Sequence, residues 1–302
     1  MTLDIAIANY WYVIQASDRR LTLNGKPWDE NANKCVIFGC RDAMLSITYT
    51  GLAYIGELPT DVWISETLAN NNLQFRDMGF SVDTLCRAAT RAFTEDIPPV
   101  DRPTEHTFLI AGWQWKGNRI RSYIWWVTNR DVSVRAPATV PTFVKGYLRG
   151  RREARVGEGK GGCMAGARAA VDLSAWRDLS SAIRGERDAN RLVEKMISVI
   201  RASSEHPRFG HLVGKNVMVV ILPRPGAGDI RCEYYPAKSS PVAFTPAIVT
   251  ANVYSPSLEL IGAGMTISAG SRTYSLGGTS DPHPSGIVWG FRPQPIRPRP
   301  KS

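Results

Sequence analysis

The sequence predicts a mixed α/β fold of the α+β kind, built mostly from antiparallel strands with helices set between strand groups. Three observations carry this. Strand-like runs open the chain in close succession, two helical stripes follow them, and helix, apolar strand, turn and strand recur near residue 200. The turns joining neighbouring runs are hairpin-sized, whereas a parallel doubly wound sheet needs a crossover after each strand.

The opening run, Thr2 to Ala8, alternates polar and apolar residues, and Tyr10 to Ala16 supplies aromatic and β-branched ones. Asn9 between them suits a tight turn. Ser17-Asp18-Arg19-Arg20 follows directly, and after a polar loop Lys34 opens the run Cys35 to Phe38. Gly39 to Asp42 reads as a hairpin turn, and Met44 to Tyr49 as the returning strand. Pro59-Thr60-Asp61 reads as a helix start with Thr60 as N-cap, followed by a stripe of Trp63, Ile64, Thr67 and Leu68. A second helix runs from Ser81 to about Thr94, with Val82, Leu85, Cys86, Ala89 and Phe93 on one face. Two further strands, Thr107 to Trp113 and Arg121 to Thr128, carry Trp113, Trp115, Trp125 and Trp126, which core packing or a subunit contact explains. Pro137 and Pro141 bracket an expected loop. The segment from Gly157 to Gly166 places Lys160 among glycines but lacks the Gly-Lys-Ser/Thr ending of a phosphate loop. Helices around Ala175 to Arg184 and Asp188 to Ser204 precede strands Val217 to Leu222 and Ile230 to Tyr235.

Spacing within the first fifty residues adds a chemical expectation. Asp18 lies sixteen positions after Thr2, Lys34 lies thirty-two after it, and Arg20 follows Asp18 by two. This pattern resembles the proteasome β-subunit family of N-terminal nucleophile (Ntn) hydrolases. There a mature N-terminal threonine is followed at these offsets by an aspartate, an arginine and a lysine. Arg19 departs from the serine usual in that family. Gly51-Leu52-Ala53 looks like the family's glycine segment, and Ile110-Ala111-Gly112 is also similar. The resemblance implies a four-layer αββα sandwich with two mostly antiparallel sheets. It also implies Thr2, exposed by loss of Met1, as nucleophile, with Asp18 and Lys34 as catalytic partners and Gly51 and Arg20 on the oxyanion and substrate side. A family serine near the threonine amine has no equivalent in Gly161-Gly162-Cys163. The family's aspartate and serine after the last long helix correspond only loosely to Ser204 and Glu205.

These residue types make chemical sense together. A threonine hydroxyl needs a base, and a free α-amine, with a pKa of about 8, can serve at neutral pH. A nearby lysine lowers the amine's pKa by like-charge repulsion, and an aspartate fixes that lysine. The alternative for these residues is a frayed terminal threonine beside an ordinary ion pair.

Bulk properties bound the remaining classes. The chain has 302 residues, 43% of them hydrophobic and 21% charged, an ordinary globular balance. It has no apolar run of eighteen residues, so no membrane partner is expected, and no basic-then-apolar leader is evident. Cys35, Cys40, Cys86, Cys163 and Cys232 are odd in number and scattered, as expected of reduced thiols in a cytoplasmic protein. The four histidines lack metal-ligand spacing, so neither metal nor cofactor is expected. The net charge of +10 gathers in residues 145–168 and the Pro/Arg-rich tail rather than in a recognised nucleic-acid module.

The expected organisation is therefore an Ntn domain over residues 1–236 and a β-like extension with a Pro/Arg-rich tail over 237–302. The leading functional expectation is amide-bond hydrolysis by an N-terminal threonine on a peptide or protein substrate. A homo-oligomer, in the manner of the family's rings, and a regulatory partner follow from the same resemblance. Two alternatives stand beside it: a catalytically inactive subunit with an assembly or binding role, and a basic nucleic-acid-binding protein.

Overall fold

A computed structural model describes residues 2–23, 26–98, 101, 104–117, 119–131, 138–149, 161–238, 242–251, 253–255, 257–261, 266–269, 272–275 and 289–291. Met1, Lys160 and the tail from 292 onward lie outside the described residues. In chain order the main elements are β1 (Leu3–Ala8), β2 (Tyr12–Asp18), β3 (Cys35–Cys40), β4 (Ala43–Thr50), α1 (Thr60–Asn70) and α2 (Met78–Glu95). Then come β5 (Thr107–Lys116), β6 (Arg119–Asp131), β7 (Ala138–Arg149), β8 (Gly161–Gly166), α3 (Leu173–Ile183) and α4 (Ala189–Ser204). The chain closes with β9 (Val217–Pro223), β10 (Ile230–Tyr235), β11 (Ala247–Val249), β12 (Tyr254–Ser255) and β13 (Trp289–Phe291).

Two large sheets form a mixed α+β architecture. The first runs β8-β1-β2-β9-β10-β13, and the second β7-β6-β5-β4-β3-β11-β12. Every pairing in them is antiparallel except that of β11 with β3. Side-chain alternation explains why every residue of β1, β3 and β4 is buried. On β1, Leu3, Ile5 and Ile7 join a cluster with α3 and α4, whereas Ala6 and Ala8 join one drawn from both sheets. On β3, Val36, Phe38 and Cys40 pack with α1 and α2, whereas Cys35 and Ile37 enter the shared cluster.

Local differences from the expected elements have simple causes. The first helix begins at Thr60 itself, because the Thr60 hydroxyl donates to the Leu52 carbonyl rather than capping the helix. The second starts three residues earlier than expected, where the Asp77 side chain accepts the Phe80 N–H. Pro141, expected in a loop, lies within β7, an edge strand where a missing N–H is tolerated. Residues past 237 contribute β11 to the second sheet and β13 to the first. All five cysteines are free thiols. No helix among the described residues is long and apolar enough to cross a membrane.

Candidate functional site

Thr2 stands immediately before β1, where Leu3 already pairs with Gly166 of β8. The Thr2 carbonyl accepts the Ala167 N–H at 2.8 Å. Gly166 has φ 82°, and a Cβ there would lie 1.8 Å from the Thr2 carbonyl oxygen, so only glycine permits this approach. Thr2 is only 3% exposed.

Asp18 ends β2 beneath Thr2 and is fully buried. Its Oδ2 accepts the Leu3 N–H at 2.6 Å, and its Oδ1 accepts those of Arg20 at 2.9 Å and Gly214 at 3.0 Å. Such a set of backbone donors suits an ionised carboxylate. Lys34, just before β3, puts its Nζ 3.8 Å from Asp18 Oδ1. The same ammonium donates to Thr2 Oγ1 and to the Arg20 carbonyl. Burial pushes Lys34 below the ordinary lysine range, and the Asp18 carboxylate opposes that shift, as an ionised Asp4 would. A buried lysine on a threonine hydroxyl can polarise it and hold the charge that forms when its proton leaves.

Gly51 follows β4 with φ 110°, and a Cβ there would meet the Glu105 carbonyl at 2.5 Å and His106 Nδ1 at 2.7 Å. The next residue, Leu52, donates its N–H to His106 Nδ1 at 3.0 Å, which places the ring proton on Nε2. His106 is fully buried among Phe93, Phe108 and Phe143, and burial lowers its pKa to about 3. It is therefore a neutral acceptor that fixes the turn after β4. Neither it nor the Asn129 amide that accepts the His106 backbone N–H could be anticipated from local sequence.

Arg19 and Arg20 diverge. The Arg20 guanidinium pairs with Glu30 at 2.7 Å and donates to the Gly210 and His211 carbonyls, so it braces the loop before β9. Arg19 is buried, donates to the Asn31 carbonyl and lies 5.2 Å from the centre of the Tyr234 ring. Burial lowers its pKa to about 10, which leaves it charged at neutral pH.

The structure thus brings Thr2, Asp18 and Lys34 together, with the Arg20 backbone. Ser204 and Glu205 stand elsewhere: the Ser204 hydroxyl donates to the Arg201 carbonyl, and exposed Glu205 pairs with Lys215. Gly214, ten residues beyond Ser204, is what reaches Asp18. At the end of β8, Ala167 offers Thr2 a backbone N–H but no hydroxyl. Among the described residues, no group of three or more His, Cys, Asp or Glu side chains converges as a metal site would.

No family model matches the chain, and no curated protein matches it. The chain is similar in structure to Anbu (ancestral beta-subunit) from Yersinia bercovieri. That likeness has a TM-score of 0.50 and 12% identity, over 73% of this chain and 81% of that one. A Gly-1 mutant of Anbu from Hyphomicrobium sp. strain MC1 shares 13% identity over 74% of this chain and 82% of that one, with a TM-score of 0.47. The likeness to the Yersinia protein concerns the fold alone. These findings correct the expected membership of the proteasome β-subunit family: no family model matches, and the Yersinia neighbour is an Anbu protein. The physical reason is that three spaced residues describe one corner of a fold. Elsewhere the chain departs, with Arg19 for serine, no serine in Gly161-Gly162-Cys163, and strands past residue 237 built into both sheets.

One residue at this corner escaped the sequence reading. Asp4 is 0% exposed on β1, two residues after Thr2, and its position opposite Ser17 faces it away from α3 and α4. An acid in an alternating strand ordinarily marks a solvated face, so only the second sheet's position reveals it as buried.

Proposed function

We propose that this chain is an N-terminal threonine hydrolase that cleaves amide bonds in peptide or protein substrates. The observation that carries the reading is the Lys34 ammonium donating to Thr2 Oγ1 while it faces Asp18, which is held by backbone N–H groups. Removal of Met1 would free the Thr2 α-amine. That amine takes the hydroxyl proton as Oγ1 attacks the substrate carbonyl carbon, and Lys34 lowers the amine's pKa through its charge. The Gly51 N–H is the donor assigned to the developing oxyanion. The proton then passes to the leaving amine as the C–N bond breaks, and water hydrolyses the Thr2 ester. This chemistry calls for no cofactor.

The fold proposed with this function has four layers: α3 and α4, the first sheet, the second sheet, then α1 and α2. It is supported by core clusters shared between each sheet and one helix pair, and between the sheets. Residues 1–236 form the hydrolase domain in this reading, and 237–302 an extension that adds strands to both sheets. Self-association and a regulatory partner belong to the same proposal. Light scattering should then give a mass several times 33.3 kDa.

A silent subunit of the same fold is the second reading: with Met1 retained, the Thr2 nitrogen is part of a peptide bond and cannot act as the base. Intact-mass analysis combined with peptide hydrolysis separates the two. Loss of Met1, with turnover abolished in Thr2→Ala, supports the hydrolase. Retained Met1 without turnover supports the silent subunit, and turnover surviving in Thr2→Ala rejects the mechanism.

A further inference from the structure

Two buried carboxylates flank Lys34, and their surroundings differ. Asp18 accepts N–H groups from Leu3, Arg20 and Gly214. Asp4 is equally buried, yet neither of its oxygens has a hydrogen-bond partner among the described residues. Its charged and titratable neighbours are Asp18 on β2 and Lys34 before β3, and it also influences Cys35 on β3 and Tyr49 on β4. The Ser17 and Thr48 hydroxyls come close enough to lower its pKa, but the Ser17 hydroxyl is donated to the Asp18 carbonyl and Thr48 Oγ1 is engaged by Gln15 Nε2. Across β8 the opposing residue is Ala165, which offers no side-chain donor.

A buried carboxylate without donors is strongly disfavoured, and such a group neutralises by taking a proton. Asp18, with its backbone donors, already faces the Lys34 ammonium. The other buried cation among the described residues, Arg19, is engaged by the Asn31 carbonyl and the Tyr234 ring, so a negative charge on Asp4 has no direct partner. Burial raises Asp4 to about 8 and the Asp18 charge adds to that, while the Ser17 and Thr48 hydroxyls and the Lys34 charge oppose it without cancelling the cost of burial.

We propose that Asp4 is a positioning residue of the Thr2 site: a carboxylic acid, protonated at rest, whose ionisation puts a second negative charge beside Lys34. The inference rests on the hydrolase reading only for its effect on turnover. With Asp4 neutral, Lys34 answers to one carboxylate and its charge remains available to Thr2. When Asp4 releases its proton to solvent, the added negative charge opposes the negative charge that Oγ1 and the oxyanion develop, and turnover falls.

Infrared titration of the full chain tests the charge state without needing activity. Wild type should show the carbonyl stretch of a protonated carboxyl at neutral pH, lost with a midpoint near 8. The band should shift when aspartates carry 13C and vanish in Asp4→Asn. The isotope shift assigns the band to an aspartate even if the variant does not fold. In hydrolysis assays the alkaline limb of the pH profile should be displaced upward in Asp4→Asn. Absence of the band from wild type at neutral pH, or its persistence in folded Asp4→Asn, overturns the proposal. If the band behaves as stated while wild type hydrolyses nothing at any pH, the Asp4 charge state holds and the hydrolase reading is what fails.

Discussion

The space between the two sheets has two unlike ends. At one, Ala8, Val13, Met44, Trp113, Leu222 and Ile230 close an apolar core, and the Trp113 indole N–H is satisfied by the Leu222 carbonyl. At the other, the same strands present Asp4 and Ser17 from the first sheet and Ser46 and Thr48 from the second, with Thr2 and Lys34 beside them. Gln15 marks the boundary, donating across the gap to Thr48 Oγ1 and to the Leu109 carbonyl. Both ends are equally dry, so the contrast is not one of solvent. The apolar end contributes stability through burial, whereas the polar end is tolerated only where charges and donors match. A site of this kind needs the other end as its scaffold.

Moving a feature of one end to the other should expose the contrast. The largest expected effect is Val220→Asp, which buries an unpaired charge in the apolar end; a cost above about 4 kcal/mol should leave the chain unfolded in denaturant titrations. Leu109→Ala, which removes packing from the same layer, should cost about 2–5 kcal/mol in urea unfolding. Lys34→Met, at the polar end, should abolish peptide turnover and cost about 3 kcal/mol, toward the lower end for a broken buried pair because Asp18 keeps its backbone donors. A stability unchanged by Lys34→Met would mean that the pair contributes nothing to the fold.

The remaining contrast is a pH dependence with a definite sign. Asp4 is raised from 3.8 to about 8 in the folded chain, so between those values the native state binds a proton that the unfolded state has released. Its contribution to stability is therefore complete below the unfolded value and lost as pH rises through the folded one. The melting temperature of wild type should fall relative to Asp4→Asn across that window. A constant difference between the two would contradict a raised Asp4.

How much of this was legible in the sequence depended on how local the cause was. The strands from Leu3 to Thr50 were readable because alternation and short turns are properties of adjacent residues. Thr2, Asp18 and Lys34 were nameable by spacing, and the structure sets Lys34 between the other two. Partners supplied from a distance were not legible: Gly214 on Asp18, Ala167 on Thr2, and His106 behind Gly51. Ser204 and Glu205 were named from their place after a helix. Their side chains instead serve the end of α4, through Arg201 and Lys215. Pro141 signalled a loop because sequence does not say which strand lies at an edge.

The most direct test of Thr2 as nucleophile is covalent capture. The protein would be incubated with a β-lactone, an electrophile that acylates activated hydroxyls, and analysed by intact mass and peptide mapping. The expected result is one adduct per chain, on Thr2, with none in Thr2→Ala or Lys34→Met. An adduct on another residue in a turnover-competent protein, or turnover that continues while Thr2 stays unlabelled at saturating reagent, would contradict the assignment of Thr2 as the nucleophile.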